Sequence, residues 1–183
     1  HYVFSRENPE IFQAFHETEV KSLALSGRHV QTKLFALNYS AQFIEDSIES
    51  TSLENNFTSR RYYKASVLPE YQMSLKDEQQ LTFRLGAAFD NTNRDDSDVS
   101  LIGDMTWNSF NSDDSFQTVY LSYAEASQVA GYTAIGGNNT SGLFRSNNSL
   151  EREKTKNLEL GFALDGLTWN LDSAIFYRKD NNL

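Results

Sequence analysis

Apolar and polar side chains alternate along most of this chain with a period of two. Around Leu81 the set Leu81, Phe83, Leu85, Ala87, Phe89 interleaves with Thr82, Arg84, Gly86, Ala88, Asp90. Successive side chains leave a strand on opposite faces, so this pattern writes one apolar face and one polar or small face. Upstream, Tyr63, Ala65, Val67 and then Tyr71, Met73, Leu75 stand against Lys64, Ser66, Glu70, Gln72 and Ser74. Downstream, Leu158, Leu160, Phe162 and Leu164 alternate with Asn157, Glu159, Gly161 and Ala163. The stretch 116–124 is mixed, because Val119, Leu121 and Tyr123 oppose Phe116 and Tyr120. No stretch carries the 3.6-residue period of an amphipathic helix.

The runs predict about eight strands, at 10–25, 29–43, 59–75, 80–90, 99–108, 116–126, 155–164 and 167–180. Their connections run short at 26–28, long at 44–58, short at 76–79 and long at 91–98. The series continues through 109–115 and a long 127–154 to Asp165-Gly166, a two-residue hairpin signal. Several runs exceed ten residues, whereas globular strands average about 5–6 and membrane-spanning strands need about 9–11. Short turns at one end and longer loops at the other are the asymmetry of outer-membrane barrels. Aromatic residues fall near strand ends, with Trp107, Phe110, Phe116 and Trp169 beside short turns. Phe43, Tyr62, Phe89 and Tyr123 lie beside long loops, so the two sets suit two interfacial girdles. The expected fold class is therefore all-β, an antiparallel up-and-down transmembrane β-barrel fragment.

Composition narrows this reading. Hydrophobic residues make up 39% of 183, and mean hydropathy is −0.56. No run reaches the roughly 18 apolar residues of a membrane helix. The absence of cysteine removes disulfide scaffolds and cysteine-ligated zinc from consideration. A net charge of −9 opposes nucleic-acid binding, which needs a basic surface. Prolines are confined to Pro9 and Pro69, as long uninterrupted strands require. The chain starts at His1 with no leader pattern and stops at Leu183 in mid-alternation. Residues 1–183 are thus expected to be part of one β-barrel domain, with the remaining strands outside them.

The segment from Val119 to Gly161 resembles a passage of TonB-dependent outer-membrane receptors. That family often ends a strand with Tyr-x-Ser-Tyr-x-Glu, matched here by Tyr120, Ser122, Tyr123 and Glu125. A long outside loop follows, then Asn-Pro-x-Leu-x-Pro-Glu and Ser/Thr-x-Asn-x-Glu-Leu-Gly. Their counterparts are Asn147, Leu150 and Glu153, then Thr155, Asn157, Glu159, Leu160 and Gly161. Asn148 and Arg152 replace the two prolines, a departure that bears on the loop's shape. The hairpin through Asp165-Gly166 to Ala174, Phe176, Tyr177 and Asp180 also resembles the family's next strand. The resemblance implies a barrel of about 22 strands with a plugged lumen, of which this is an internal third. It implies active uptake of a scarce nutrient (siderophore-iron, cobalamin, haem or a glycan) in a Gram-negative outer membrane. The implied partners are outer-membrane lipid, such a small-molecule ligand, and TonB acting through a plug domain outside this chain.

The residues themselves offer no catalytic constellation. His1, His16 and His29 are scattered, no nucleophile stands beside a base, and no cofactor motif occurs, so no enzyme is expected. Asp95, Asp96 and Asp98 lack the spacing of an EF-hand, and a solvated loop is the better reading. Gly136-Gly137 has no flanking helix and reads as loop freedom rather than a phosphate cradle. Ligand recognition falls to the 127–154 loop, where Tyr132, Phe144 and Arg145 are the candidates to stack on or pair with a substrate. Arg84 and Asp90, on a polar strand face, are secondary candidates. Two alternatives share parts of this pattern: a passive porin-type channel, and a soluble β-sandwich binding module.

Overall fold

The structure, a computed structural model, describes residues 2–3, 15–50, 59–76, 78–110, 115–132, 134 and 150–181. They form one antiparallel sheet in simple chain order. A two-residue strand β1 (Tyr2–Val3) is followed by β2 (Phe15–Val30), β3 (Phe35–Ser50), β4 (Ser59–Lys76) and β5 (Gln79–Thr92). Then come β6 (Asp95–Phe110), β7 (Phe116–Gln128), β8 (Glu153–Asp165) and β9 (Asn170–Asn181). Eight strands are therefore 12 to 18 residues long, as the up-and-down reading expected. Among the described residues no strand lies beyond β9, and the sheet is open.

The register carries the alternation across the whole sheet. One ladder of directly opposed residues runs Leu23–Phe43–Tyr63, and the next Leu25–Ala41–Ala65–Phe89–Val99. Another runs Phe83–Met105–Leu121–Leu160–Ile175. All these residues share one face. That face has nothing packed on it: Leu23 is 73% exposed, Leu85 65% and Ile175 70%. The only buried apolar residues among those described are Ala36 and Val129. Water tolerates exposed apolar patches of a few hundred Å2, not a face eight strands wide. Such a sheet needs an apolar solvent. No helix among the described residues is long and apolar enough to cross a membrane.

The connections correct several expected boundaries. The first turn lies at 31–34, not 26–28, because Gly27 sits inside β2 beneath the Tyr39 ring on the neighbouring strand. Thr32 nucleates the true turn, its Oγ1 accepting from the amides of Leu34 (3.2 Å) and Phe35 (3.0 Å). The expected long loop at 91–98 is a tight turn at 93–94, and Asp95, Asp96 and Asp98 belong to β6. At Asp165-Gly166 the connection is 166–169, closed by the Gly166 amide donating to the Trp169 carbonyl at 2.8 Å. One end of the sheet thus carries 31–34, 77–78, 111–115 and 166–169. The other carries 4–14, 51–58, 93–94 and 129–152. The asymmetry survives with one tight exception at 93–94.

Candidate functional site at the mouth

The polar face holds its own partners. Arg28 donates to Glu70 at 2.6 Å, and Asn38 and Gln72 each donate to the same carboxylate at 2.9 Å. Arg84 pairs with Asp104 at 2.9 Å, Ser40 with Ser66 at 2.7 Å, and Thr118 donates to Asn108 at 3.0 Å. Arg28 reaches Glu70 across β3, and each of the other contacts joins adjacent strands or residues of one strand. Arg84, a secondary candidate, is therefore a wall residue held by its cross-strand neighbour.

The network changes character toward the long-loop end. Asp46 on β3 and Arg60 on β4 are directly opposed. Arg60 grips the carboxylate through Nε at 3.1 Å and Nη2 at 2.7 Å, the two-pronged geometry that planar guanidinium favours. Chain beyond β7 then folds across this face. Arg60 Nη1 reaches the Ala130 carbonyl at 3.4 Å, and its guanidinium lies 4.0 Å over the Tyr132 ring. The Tyr132 hydroxyl donates to Asp46, with 2.6 Å to Oδ1 and 2.9 Å to the main-chain oxygen. Three strands, β4 to β6, separate β3 from β7 in the sheet. The segment 129–132 therefore spans the polar face instead of standing off its rim. Burial, and next the bond to Asp46, raise the Tyr132 phenol above its ordinary pKa.

A second hub adjoins the first. Arg152, only 6% exposed, forms ion pairs with Asp90 on β5 and with Asp95 Oδ2 on β6 at 3.1 Å. It also donates to the Asp96 carbonyl at 2.5 Å and to Ser127 Oγ at 3.3 Å. Asp90 in turn faces Lys64 across the β4–β5 ladder, at 3.6 Å. Lys154 neutralises Asp98 at 2.8 Å. The Asp95, Asp96, Asp98 run, expected to be a solvated loop, is thus a strand start whose Asp95 and Asp98 are balanced by cations from the far end of the 129–152 connection. Among the described residues no group of three or more metal-ligating side chains converges.

Between the hubs lies a hollow of about 300 Å3 lined by Ile44, Asp46, Tyr62, Lys64, Asp90 and Val129. It combines an aromatic ring, a cation, two carboxylates and an apolar floor, the mixture that binds a polar organic ligand by stacking and directed hydrogen bonds. Of the expected ligand residues, Tyr132 roofs this end, while Phe144 and Arg145 lie outside the described residues. The Gly136-Gly137 pair also lies outside them. Asp90 joins the hollow. Tyr62, read from the sequence as a girdle residue, turns to the polar face and lines the hollow instead. Arg152 entered the sequence reading only as a lost proline. Its partners lie 25 to 62 positions away, so no local signal announced them.

The family described as TonB dependent receptor-like, beta-barrel, matches residues 11–183. The chain belongs to this family. No curated protein and no solved structure gives a match to set beside it. TonB-dependent receptor barrels are a Gram-negative outer-membrane family of receptors and transporters. The geometry also explains the motif residues. Tyr120 and Gly161 are directly opposed on β7 and β8. A Cβ on Gly161 would stand 2.4 Å from the Tyr120 ring, so glycine is what lets the ring lie flat across β8. The Tyr120 hydroxyl then donates to Glu159 at 2.6 Å. Thr155 donates to Asp180 on β9 at 2.6 Å. The β6–β7 ladder reaches the loop end at Ile102–Ala124, and Glu125 accepts the next amide, Leu101, at 3.1 Å. Above that point β6 and β7 have no further paired residues.

Proposed function

We propose that this chain is wall and mouth of an energy-coupled importer carrying a scarce nutrient across the outer membrane. The nutrient class is a metal chelate, cobalamin, haem or a glycan. In this reading residues 1–183 are one stretch of a barrel of about 22 strands. A plug domain in the lumen receives energy through TonB. Tyr132, Phe144 and Arg145 belong to the ligand-contacting loop. The observation that supports the mouth's role is the path of 129–132 across the polar face, where Tyr132 and Arg60 meet over Asp46. A loop serving only as a rim has no reason to bury a tyrosine against the wall. The open sheet, with β9 unpaired on its far side among the described residues, supports further strands.

Uptake by cells expressing the whole receptor tests the proposal. Candidate nutrients of each class are offered, and Tyr132→Ala and Arg145→Ala are compared with the parent. A saturable uptake that stops when the proton-motive force is dissipated, and loses affinity in these variants, is the expected result. Uptake that continues without the proton-motive force identifies a passive channel. Unchanged affinity in both variants refutes the loop assignment.

A further inference from the structure

We infer that the apolar face of β8 and β9 carries a binding groove for a lipid with an anionic phosphate headgroup. The registers of β7, β8 and β9 stack a short series of rungs on this face. From the loop end downward they read Glu125–Lys156–Lys179, Tyr123–Leu158–Tyr177, Leu121–Leu160–Ile175 and Val119–Phe162–Ser173. The top rung sets two lysines directly opposite each other. Like charges in that position repel and destabilise a sheet unless something anionic lies between or beside them. Glu125 answers one of them, at 2.8 Å from Lys156. Lys179 forms no ion pair among the described residues, and Lys154, next along on β8, is already held by Asp98.

Below the lysines the surface is dented. Ser173 stands where its face-mates on β9 are Leu171 and Ile175, so the small side chain opens a gap beside Phe162. The result is a groove of about 410 Å3 whose walls are Val119, Leu160, Phe162, Ser173 and Ile175. The lysine rung and the Leu160–Ile175 rung are four residues apart, or roughly 13 Å along the strand. Tyr123 and Tyr177 occupy the level between, where amphipathic rings favour the membrane interface. A cationic rung, an aromatic rung and an apolar slot in line match the order of headgroup, glycerol region and acyl chain in one lipid.

Charge complementarity is local to this part of the wall. At the same level on β2 to β4, Lys21 bonds Glu19 and opposes Glu45, which also bonds Arg61, while Glu17 and Glu49 add further negative charge. In a chain of net charge −9, an anion approaching the loop-side interface meets attraction at β8–β9 and repulsion at β2–β3. The inference rests on the membrane placement of the apolar face and not on import.

The test uses the whole receptor, purified in a neutral detergent, with native mass spectrometry counting bound lipid. Phosphatidylglycerol and phosphatidylcholine of equal chain length are offered together, and glycerol phosphate is offered alone. The expected result is preference for phosphatidylglycerol. Lys156→Gln with Lys179→Gln lowers that affinity by about 25-fold, about fivefold per lysine near an anionic headgroup, and leaves phosphatidylcholine unchanged. The pair Lys156→Arg and Lys179→Arg keeps the preference, which separates charge from folding damage. Ser173→Trp, which fills the slot without altering charge, lowers retention of phosphatidylglycerol. Equal binding of both lipids by the parent overturns the proposal while leaving the membrane wall intact, as does undiminished phosphatidylglycerol binding by the glutamine pair. Glycerol phosphate bound as tightly as phosphatidylglycerol reduces the site to a bare anion site and overturns the groove. Failure to retain lipid of either kind overturns the groove and leaves the membrane wall intact.

Discussion

The two faces of this sheet solve opposite problems with the same backbone. The apolar face leaves Leu23, Leu85 and Ile175 mostly exposed and makes no attempt at a core. The polar face satisfies its charged groups internally, most thoroughly around Asp46 and Arg152. One face borrows its solvent from the membrane, and the other is finished within the protein. A substitution's effect should therefore depend on the parity of its position more than on its chemistry.

The largest effect is expected from moving one charge by one residue. Leu121 faces the apolar side at mid-strand, whereas Ser122 lies on the polar side between Asp104 and Glu159. Leu121→Arg should cost about 2–4 kcal/mol of folding free energy in a bilayer. Ser122→Arg, flanked by two carboxylates, should cost far less. Denaturant titrations of the reconstituted receptor would give both values, and equal costs would abolish the distinction between the faces.

Next in size is the loss of a carboxylate from the buried mouth. Asp90→Ala removes one of the two acids balancing Arg152 and strips Lys64 of its cross-strand partner. Leaving a buried cation underpaired is costly, and with Asp95 still in place about 2–3 kcal/mol is expected by the same titration. Asp104→Ala, whose arginine is more exposed, should cost no more than about 1 kcal/mol. The reverse order would show that the mouth is not the tighter part of the polar face.

Gly161→Ala should cost roughly 1–2 kcal/mol, because the new methyl group must displace the Tyr120 ring. Tyr120→Ala in the same chain should make the alanine nearly silent, and additive losses would argue against the ring-on-glycine contact.

The smallest effect concerns the segment 129–132, which forms a strap across the polar face. Tyr132→Phe removes the hydroxyl bond to Asp46 and should cost about 1 kcal/mol, read as faster hydrogen exchange in 129–132. The Tyr132 phenol is raised above its ordinary value, first by burial and then by Asp46. Its contribution is therefore complete below about pH 10, the ordinary value, and fades only as pH climbs through the higher folded one. Across neutral pH the strap should stay closed. Protection of this segment, taken relative to the intrinsic base-catalysed exchange rate, that falls across the neutral range where histidine titrates would point to a different latch.

The fold was largely legible because period-two alternation is a local signal that a membrane wall repeats on every strand. The misplaced turns have a common cause. Ser26-Gly27-Arg28 carries turn composition, yet Gly27 serves a neighbouring tyrosine ring. Asn91 to Asp98 reads as loop because acids cluster there, yet Arg152 and Lys154, arriving from the far side of the longest connection, make a strand of Asp95 to Asp98. Charge balance across 56 or more positions leaves no trace in a local window. The same reasoning covers the mouth. Tyr132 was legible as an aromatic in a long loop, whereas Asp46, Arg60 and Arg152 became visible only once the sheet set them side by side.

The central claim, that the odd positions of β7 face lipid and the even ones an aqueous lumen, has a direct test. Residues 1–183 contain no cysteine, so once any cysteine outside them is replaced, single cysteines can be placed at each position from 117 to 124 in the reconstituted receptor and spin-labelled. The account predicts that labels at Val119, Leu121 and Tyr123 are reached by a lipid-soluble relaxant. Labels at Thr118, Tyr120 and Ser122 should instead be reached by a water-soluble one. A pattern without this alternation, or one in which water reaches every position, would contradict the account.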